Sequence, residues 1–150
     1  MKKIFLLASF IFVGAFFSQS VKAQTEAQKV DLCTKMTGGA TFLESYTVQL
    51  LGAKDGERAP VFRQAVALRK GHRYRLTICT DEESSDEAVL QLYEEATGKM
   101  VGNSYNSETG KTYQNFDIEC SKFAIYHIYV SFKNGKEGSA IAVLSHVKAL

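Results

Sequence analysis

The densest group of ligand-type oxygens in the chain is the run Asp81-Glu82-Glu83-Ser84-Ser85-Asp86-Glu87, five carboxylates in seven residues. Calcium takes about six to eight oxygen ligands, and a loop of this kind can supply several of them. It lacks the alternating acids and the glycine of an EF-hand loop. The competing reading is a solvated acidic loop that keeps a sheet edge from aggregating. Calcium is therefore only an alternative here, and no other cofactor or metal is expected.

His72, His127 and His146 are the remaining base or metal-ligand candidates, and a cysteine beside one of them would form a nucleophile pair. No spacing ties any of the three to a partner. His72 reads as a turn residue, and His127 and His146 are expected on the outer faces of strands. Ser84, Ser85 and Ser145 lack the strained glycine elbow of a nucleophilic serine. No catalytic residues are assigned, and the chain is expected not to be an enzyme.

Cys33, Cys79 and Cys120 form an odd set, so at most one internal bridge can close, and no CxxC pair marks a redox dithiol or zinc knuckle. Alternation places Cys79 on the outer face of its strand and Cys120 on the inner face of its own. Cys33, on an N-terminal arm, reaches an outer face more easily. The favoured bridge is Cys33 to Cys79, with Cys120 a buried thiol; Cys79 to Cys120 and no bridge are the alternatives. Tyr93 and Tyr129 alternate to the face opposite the core, and Tyr105 and Tyr113 fall in or beside a polar loop. Aromatic platforms of this kind stack on sugars, although strand tyrosines also cover sheet surfaces without binding anything, and the chain has no tryptophan.

The elements that would position these groups begin after a leader. Lys2 and Lys3, the apolar run Ile4 to Phe17 and the small-residue signal Val21-Lys22-Ala23 before Gln24 read as a secretory signal helix, cleaved between Ala23 and Gln24. A membrane span needs about 20 apolar residues, so this run is too short. No membrane insertion of the mature chain is expected, and a lipid anchor would need a cysteine at the cleavage point, whereas the first is Cys33. Loss of Lys2, Lys3 and Lys22 takes the 18 basic residues to 15 against 16 acids, a mature charge near −1. That balance gives no electrostatic case for nucleic acid, and Lys133 and Lys136 read as solubilising charge. The expected location is periplasmic or secreted.

Residues 24–40 read as an N-terminal arm, either a short helix or a frayed strand, and 41–150 as one β-sandwich domain. From Thr41 the pattern has period two, with Phe42, Glu44, Tyr46, Val48 and Leu50 on one face. Pro60 opens a second strand (Phe62, Val66, Leu68 inward), and Tyr74, Leu76 and Ile78 face inward on a third. A hairpin between these two would set Arg69 opposite Arg73, an unfavourable like-charge pair, so an arch between stacked sheets is expected. Leu90 and Leu92 lead through Ala96-Thr97-Gly98-Lys99 into Met100 and Val101; a long loop follows from Asn103 to Lys111. Phe116, Ile118 and Cys120 point inward on the next strand, and Tyr126, Ile128, Val130 and Phe132 on the one after it. Asn134-Gly135 carries the dipeptide of a tight hairpin turn into Ala140 to Val147. The fold class is all-β: an antiparallel sandwich, jelly-roll-like, of seven or eight strands.

Val66-Ala-Leu-Arg-Lys-Gly-His-Arg-Tyr-Arg-Leu76, Leu90-Gln-Leu-Tyr-Glu-Glu-Ala-Thr-Gly-Lys99, Phe116-Asp-Ile118 and Ala124-Ile-Tyr-His-Ile-Tyr-Val130 follow in an order that resembles the bacterial pre-peptidase C-terminal domains. Glu94 stands where that family often has aspartate, and Lys122-Phe123-Ala124 replaces its usual glycine. The resemblance implies a secreted, non-catalytic β-sandwich, in that family often an appendage to hydrolases. The expected function is an exported module that binds or supports an unknown protein or glycan partner. The alternatives are a carbohydrate-binding or calcium-stabilised module, and a small secreted hydrolase or hydrolase inhibitor.

Overall fold

The structure, a computed structural model, describes residues 25–150. The proposed leader and its Ala23–Gln24 cleavage point lie outside the described residues. Two four-stranded antiparallel sheets stack with their apolar faces together. The strands are β1 (Thr41–Leu50), β2 (Phe62–Leu68), β3 (His72–Thr80), β4 (Ala88–Glu94), β5 (Met100–Asn103), β6 (Tyr105–Asn106), β7 (Lys111–Thr112), β8 (Asn115–Cys120), β9 (Ala124–Phe132) and β10 (Gly138–Ala149). Sheet A runs β1-β10-β3-β8 and sheet B runs β2-β9-β4-β5; β6 and β7 form a small ribbon inside the expected Asn103–Lys111 loop.

Period-two burial builds the core. Tyr46 and Val48 of β1, Leu76 and Ile78 of β3 and Ala142 and Leu144 of β10 meet Leu68, Leu90, Leu92, Ile128 and Val130 from sheet B. The alternation breaks at the start of β1, where a bulge between Phe42 and Glu44 turns Phe42 and Leu43 out to solvent. Phe42 is thus not a core residue, and Glu44 sits at the rim accepting a 2.7 Å hydrogen bond from the Tyr46 hydroxyl.

In chain order the strands fall alternately in sheets A and B, and only β4–β5 is a hairpin within one of the two main sheets. The β2–β3 connection is the expected arch. The buried Tyr74 hydroxyl accepts the Arg69 N–H at 3.1 Å, and Gly71 turns the chain at φ 76°. The Asn134-Gly135 turn has the expected positive φ at both residues, 57° and 64°, but it does not close a hairpin. β9 pairs in sheet B with β2 and β4, whereas β10 pairs in sheet A with β1 and β3. The physical reason is Phe132, whose ring fills the space between the sheets at this end. A Cβ at Gly138 would lie 2.3 Å from that ring, so the chain crosses over it where a side chain is missing.

The N-terminal arm is a helix, α1 (Glu26–Lys35). Thr25 and Gln28 form a reciprocal capping box that satisfies N–H groups at its start. The helix packs on the outer face of sheet A against β10, β3 and β1. Cys33 and Val30 sit there over Ile141, Val143 and Cys79.

Candidate functional site

Cys33 and Cys79 form a disulfide that fastens α1 to sheet A, and Cys120 is a buried free thiol in the core. Burial pushes the Cys120 thiol up, and Tyr126 beside it is pushed up to about 12, mainly by desolvation and then by Cys120 and Glu94. Neither group is a ready nucleophile. Glu94, in the aspartate position of the family resemblance, holds the β4–β5 turn: it accepts from Thr97 Oγ1 at 3.0 Å and pairs with Lys122. Lys122 holds its carboxyl below the usual glutamate range.

The acidic loop is distributed among separate partners. Asp81 pairs with Lys29 of α1, which holds its carboxyl below the usual range. Glu87 pairs with Lys133 and accepts from Thr112, and Asp86 accepts from Asn134 at 3.0 Å. Ser84 is used structurally, donating to Ser139 O and accepting the Ser139 N–H. The loop thus ties α1, β7 and the β9–β10 arch together. Among the described residues no three His, Cys, Asp or Glu side chains converge as metal ligands.

Two of the histidines, His72 and His146, differ from expectation: His72 opens β3 and does not lie in the turn. His146 has the same parity as Leu144 and Ala142, so it faces inward at the open end of the sandwich. There its Nε2 lies 2.9 Å from Nδ1 of His72, with Tyr74 packed edge-on at 5.7 Å. Residues 140–145 of β10 are buried on both faces, by the core on one side and by α1 on the other, so the strand carries no polar alternation from which to place His146. His127 is on the outer face of sheet B, as expected, but is covered there: it is 9% exposed.

What covers His127 is an interlocked set of side chains on the outer face of sheet B. Cross-strand register sets Arg63 of β2 and Gln91 of β4 on either side of Tyr129, and Ala65 and Tyr93 on either side of His127. The Arg63 guanidinium lies 3.0 Å from His127 Nε2 and 5.7 Å from the Tyr129 ring centre. Tyr93 and Tyr129 meet edge to face, with centroids 5.1 Å apart at 74°. Exposed Met100 and Ile125 extend this face with apolar surface. The outer face of sheet A is occupied differently, by α1 and by the cross-strand pairs Arg73–Glu119 and Arg75–Asp117. Sequence alternation located the tyrosines. It did not reveal Arg63, whose partnership with Tyr129 depends on a pairing between strands far apart in the chain.

No protein-family model matches the chain, and no curated protein matches it in sequence. Solved structures do match in fold. PliG of Aeromonas hydrophila, a periplasmic lysozyme inhibitor of g-type lysozyme, superposes with a TM-score of 0.51 at 9% identity, over 73% of this chain and 89% of that one. The pre-peptidase C-terminal domain of Bacillus anthracis collagenase gives a TM-score of 0.50 at 11% identity, over 70% and 90%. The chain has the sandwich fold of these proteins, including the family its sequence resembles. Among the described residues no helix is long and apolar enough to cross a membrane.

Proposed function

We propose that this chain is an exported, non-catalytic module whose partner is a protein, seated on the outer face of sheet B at Tyr93, Tyr129 and Arg63. The observation that carries this reading is the locked Arg63–His127–Tyr129–Tyr93 group on a sheet face that no other element covers among the described residues. Tyrosine and arginine held rigid by their neighbours lose little entropy on docking, and they are the residue types that dominate protein interfaces. A sugar platform is the poorer fit, because the edge-to-face tyrosines do not present parallel faces to successive rings. A periplasmic inhibitor of g-type lysozyme shares this fold, which makes a secreted cell-wall hydrolase the first partner class to test.

The test is capture from the native host's periplasm and medium with the exported protein, followed by direct binding to each captured hydrolase and to a glycan array. The reading expects a protein partner whose affinity falls at least tenfold in Arg63→Glu/Tyr129→Ala, with the melting temperature of the module unchanged. Glycan binding that depends on the same residues, or a partner indifferent to this double substitution, overturns it.

A further inference from the structure

Each stacked sheet has two edges, and three of the four carry devices that discourage further strand pairing. β8 is six residues with Asp117 and Glu119 on its outer face. β2 follows Pro60, bears Arg63, and has its Ala65 carbonyl occupied by the Gln64 side-chain amide at 3.0 Å. β5 is four residues long and lies beside a bulge. β1 differs. It is ten residues with no proline, lysine or arginine, and its one acid, Glu44, lies next to the bulge and is bonded to Tyr46. Among the described residues, the backbone of Ser45 to Leu50 bonds only within the β10 ladder, leaving its other side open.

We propose that the free edge of β1 pairs antiparallel with β1 of a second copy of this chain, joining the two A sheets across a twofold axis at Thr47. The occupant follows from the strand's self-complementarity. With Thr47 opposite Thr47, Ser45 meets Gln49, and Tyr46 meets Val48, an aromatic against a β-branched residue. The inner faces stay aligned with each core, so no buried side chain is turned out. Within the paired strands no like charges oppose, because Glu44 falls against Leu50; at the axis each Thr47 brings the Glu26 carboxylate that its hydroxyl bonds at 2.5 Å, a like-charge approach that weakens the pair. At both ends of the ladder Leu43 of one copy comes against Leu51 of the other, and these residues are 47% and 76% exposed in the single chain. Shifting the register by one pair loses that leucine contact. The interface is small and backbone-dominated, so the dimer belongs to the weak, transient class.

The test is light scattering and sedimentation of the exported protein from nanomolar to high micromolar concentration, using a pair of charge patterns. Ser45→Lys/Gln49→Lys sets lysine against lysine twice, and Ser45→Glu/Gln49→Lys sets opposite charges against each other twice. The wild type is expected to reach twice the single-chain mass, the first variant to remain a monomer with an intact thermal transition, and the second to dimerise at lower concentration than wild type. Arg63→Glu/Tyr129→Ala, on the other sheet, is expected to dimerise normally, which separates this edge from the proposed partner face. A wild type that is monomeric at every concentration, or a dimer that ignores the two charge patterns, overturns the proposal.

Discussion

At the residue scale, Asp81 converts an acidic loop into a structural tie, because its carboxylate meets the Lys29 ammonium of α1 and is only partly open to water. Its folded pKa lies below the ordinary value, so the contribution is complete above the unfolded carboxylate pKa of about 4. It is lost as pH falls through the lower folded value. Asp81→Asn is therefore expected to cost about 0.5 kcal/mol near neutrality, with the difference from wild type closing as pH falls below that of a free carboxylate in denaturant melts. Since Asp81 and Glu87 are committed to lysines, calcium at millimolar concentration is expected to leave the melting temperature unchanged, and a rise reversed by chelator would contradict this reading of the loop. Glycine gives a second contrast. A Cβ at Gly138 or at Gly102 would meet a phenylalanine ring at 2.3 Å, Phe132 or Phe116 respectively. Phe132 is 4% exposed and confined, whereas Phe116 is only partly buried and can yield. Gly138→Ala is expected to destabilise by about 1–3 kcal/mol and Gly102→Ala by less, read from urea midpoints.

At the element scale, α1 shows why some of the structure could not be read from residue types. Its apolar residues do not form a clean stripe: Val30 and Cys33 face the sheet, while Leu32 and Met36 are half exposed. Periodicity therefore left helix and strand open. The decisive local signal is the Thr25-x-x-Gln28 capping box, which is present in the sequence but lies next to the cleavage signal, where no structured element need begin. The cysteines were more legible, because alternation along β3 and β8 fixes which face each sulfur occupies. A ten-residue helix is marginal on its own, so α1 depends on sheet A and on the Cys33–Cys79 bond, which spans 46 positions of sequence. Cys33→Ala/Cys79→Ala is expected to lower stability by about 2–4 kcal/mol. In hydrogen exchange the amides of Glu26–Lys35 should lose protection well before those of the sheets. Equal protection in α1 and β10 would show that packing alone holds the helix.

At the scale of the whole molecule, turns were legible and pairings were not. The Asn134-Gly135 dipeptide adopts the backbone a hairpin needs, yet its flanking strands enter different sheets, because turn residues set direction over a few ångströms while partner choice is settled by distant strands and by the Phe132 ring. The β2–β3 arch could be anticipated only because Arg69 and Arg73 penalised the hairpin alternative. Sheets linked chiefly by arches have few local contacts, so loop closure must precede most of their stabilising interactions, and folding on the millisecond-to-second scale is expected. The β4–β5 hairpin is the local exception within the main sheets and is the natural place for early structure. Gly98, in its turn, and Gly135, in the β9–β10 arch, have nearly the same positive φ, 65° and 64°, so alanine at either costs about 1 kcal/mol of backbone strain. The two substitutions should separate in kinetics. With the β4–β5 turn formed early and the β9–β10 arch complete only after both sheets, Gly98→Ala is expected chiefly to slow refolding and Gly135→Ala chiefly to speed unfolding. Chevron measurements distinguish the two limbs, and a Gly135→Ala variant that slows refolding while leaving unfolding unchanged would place the arch, with Phe132 beneath it, at the start of folding instead.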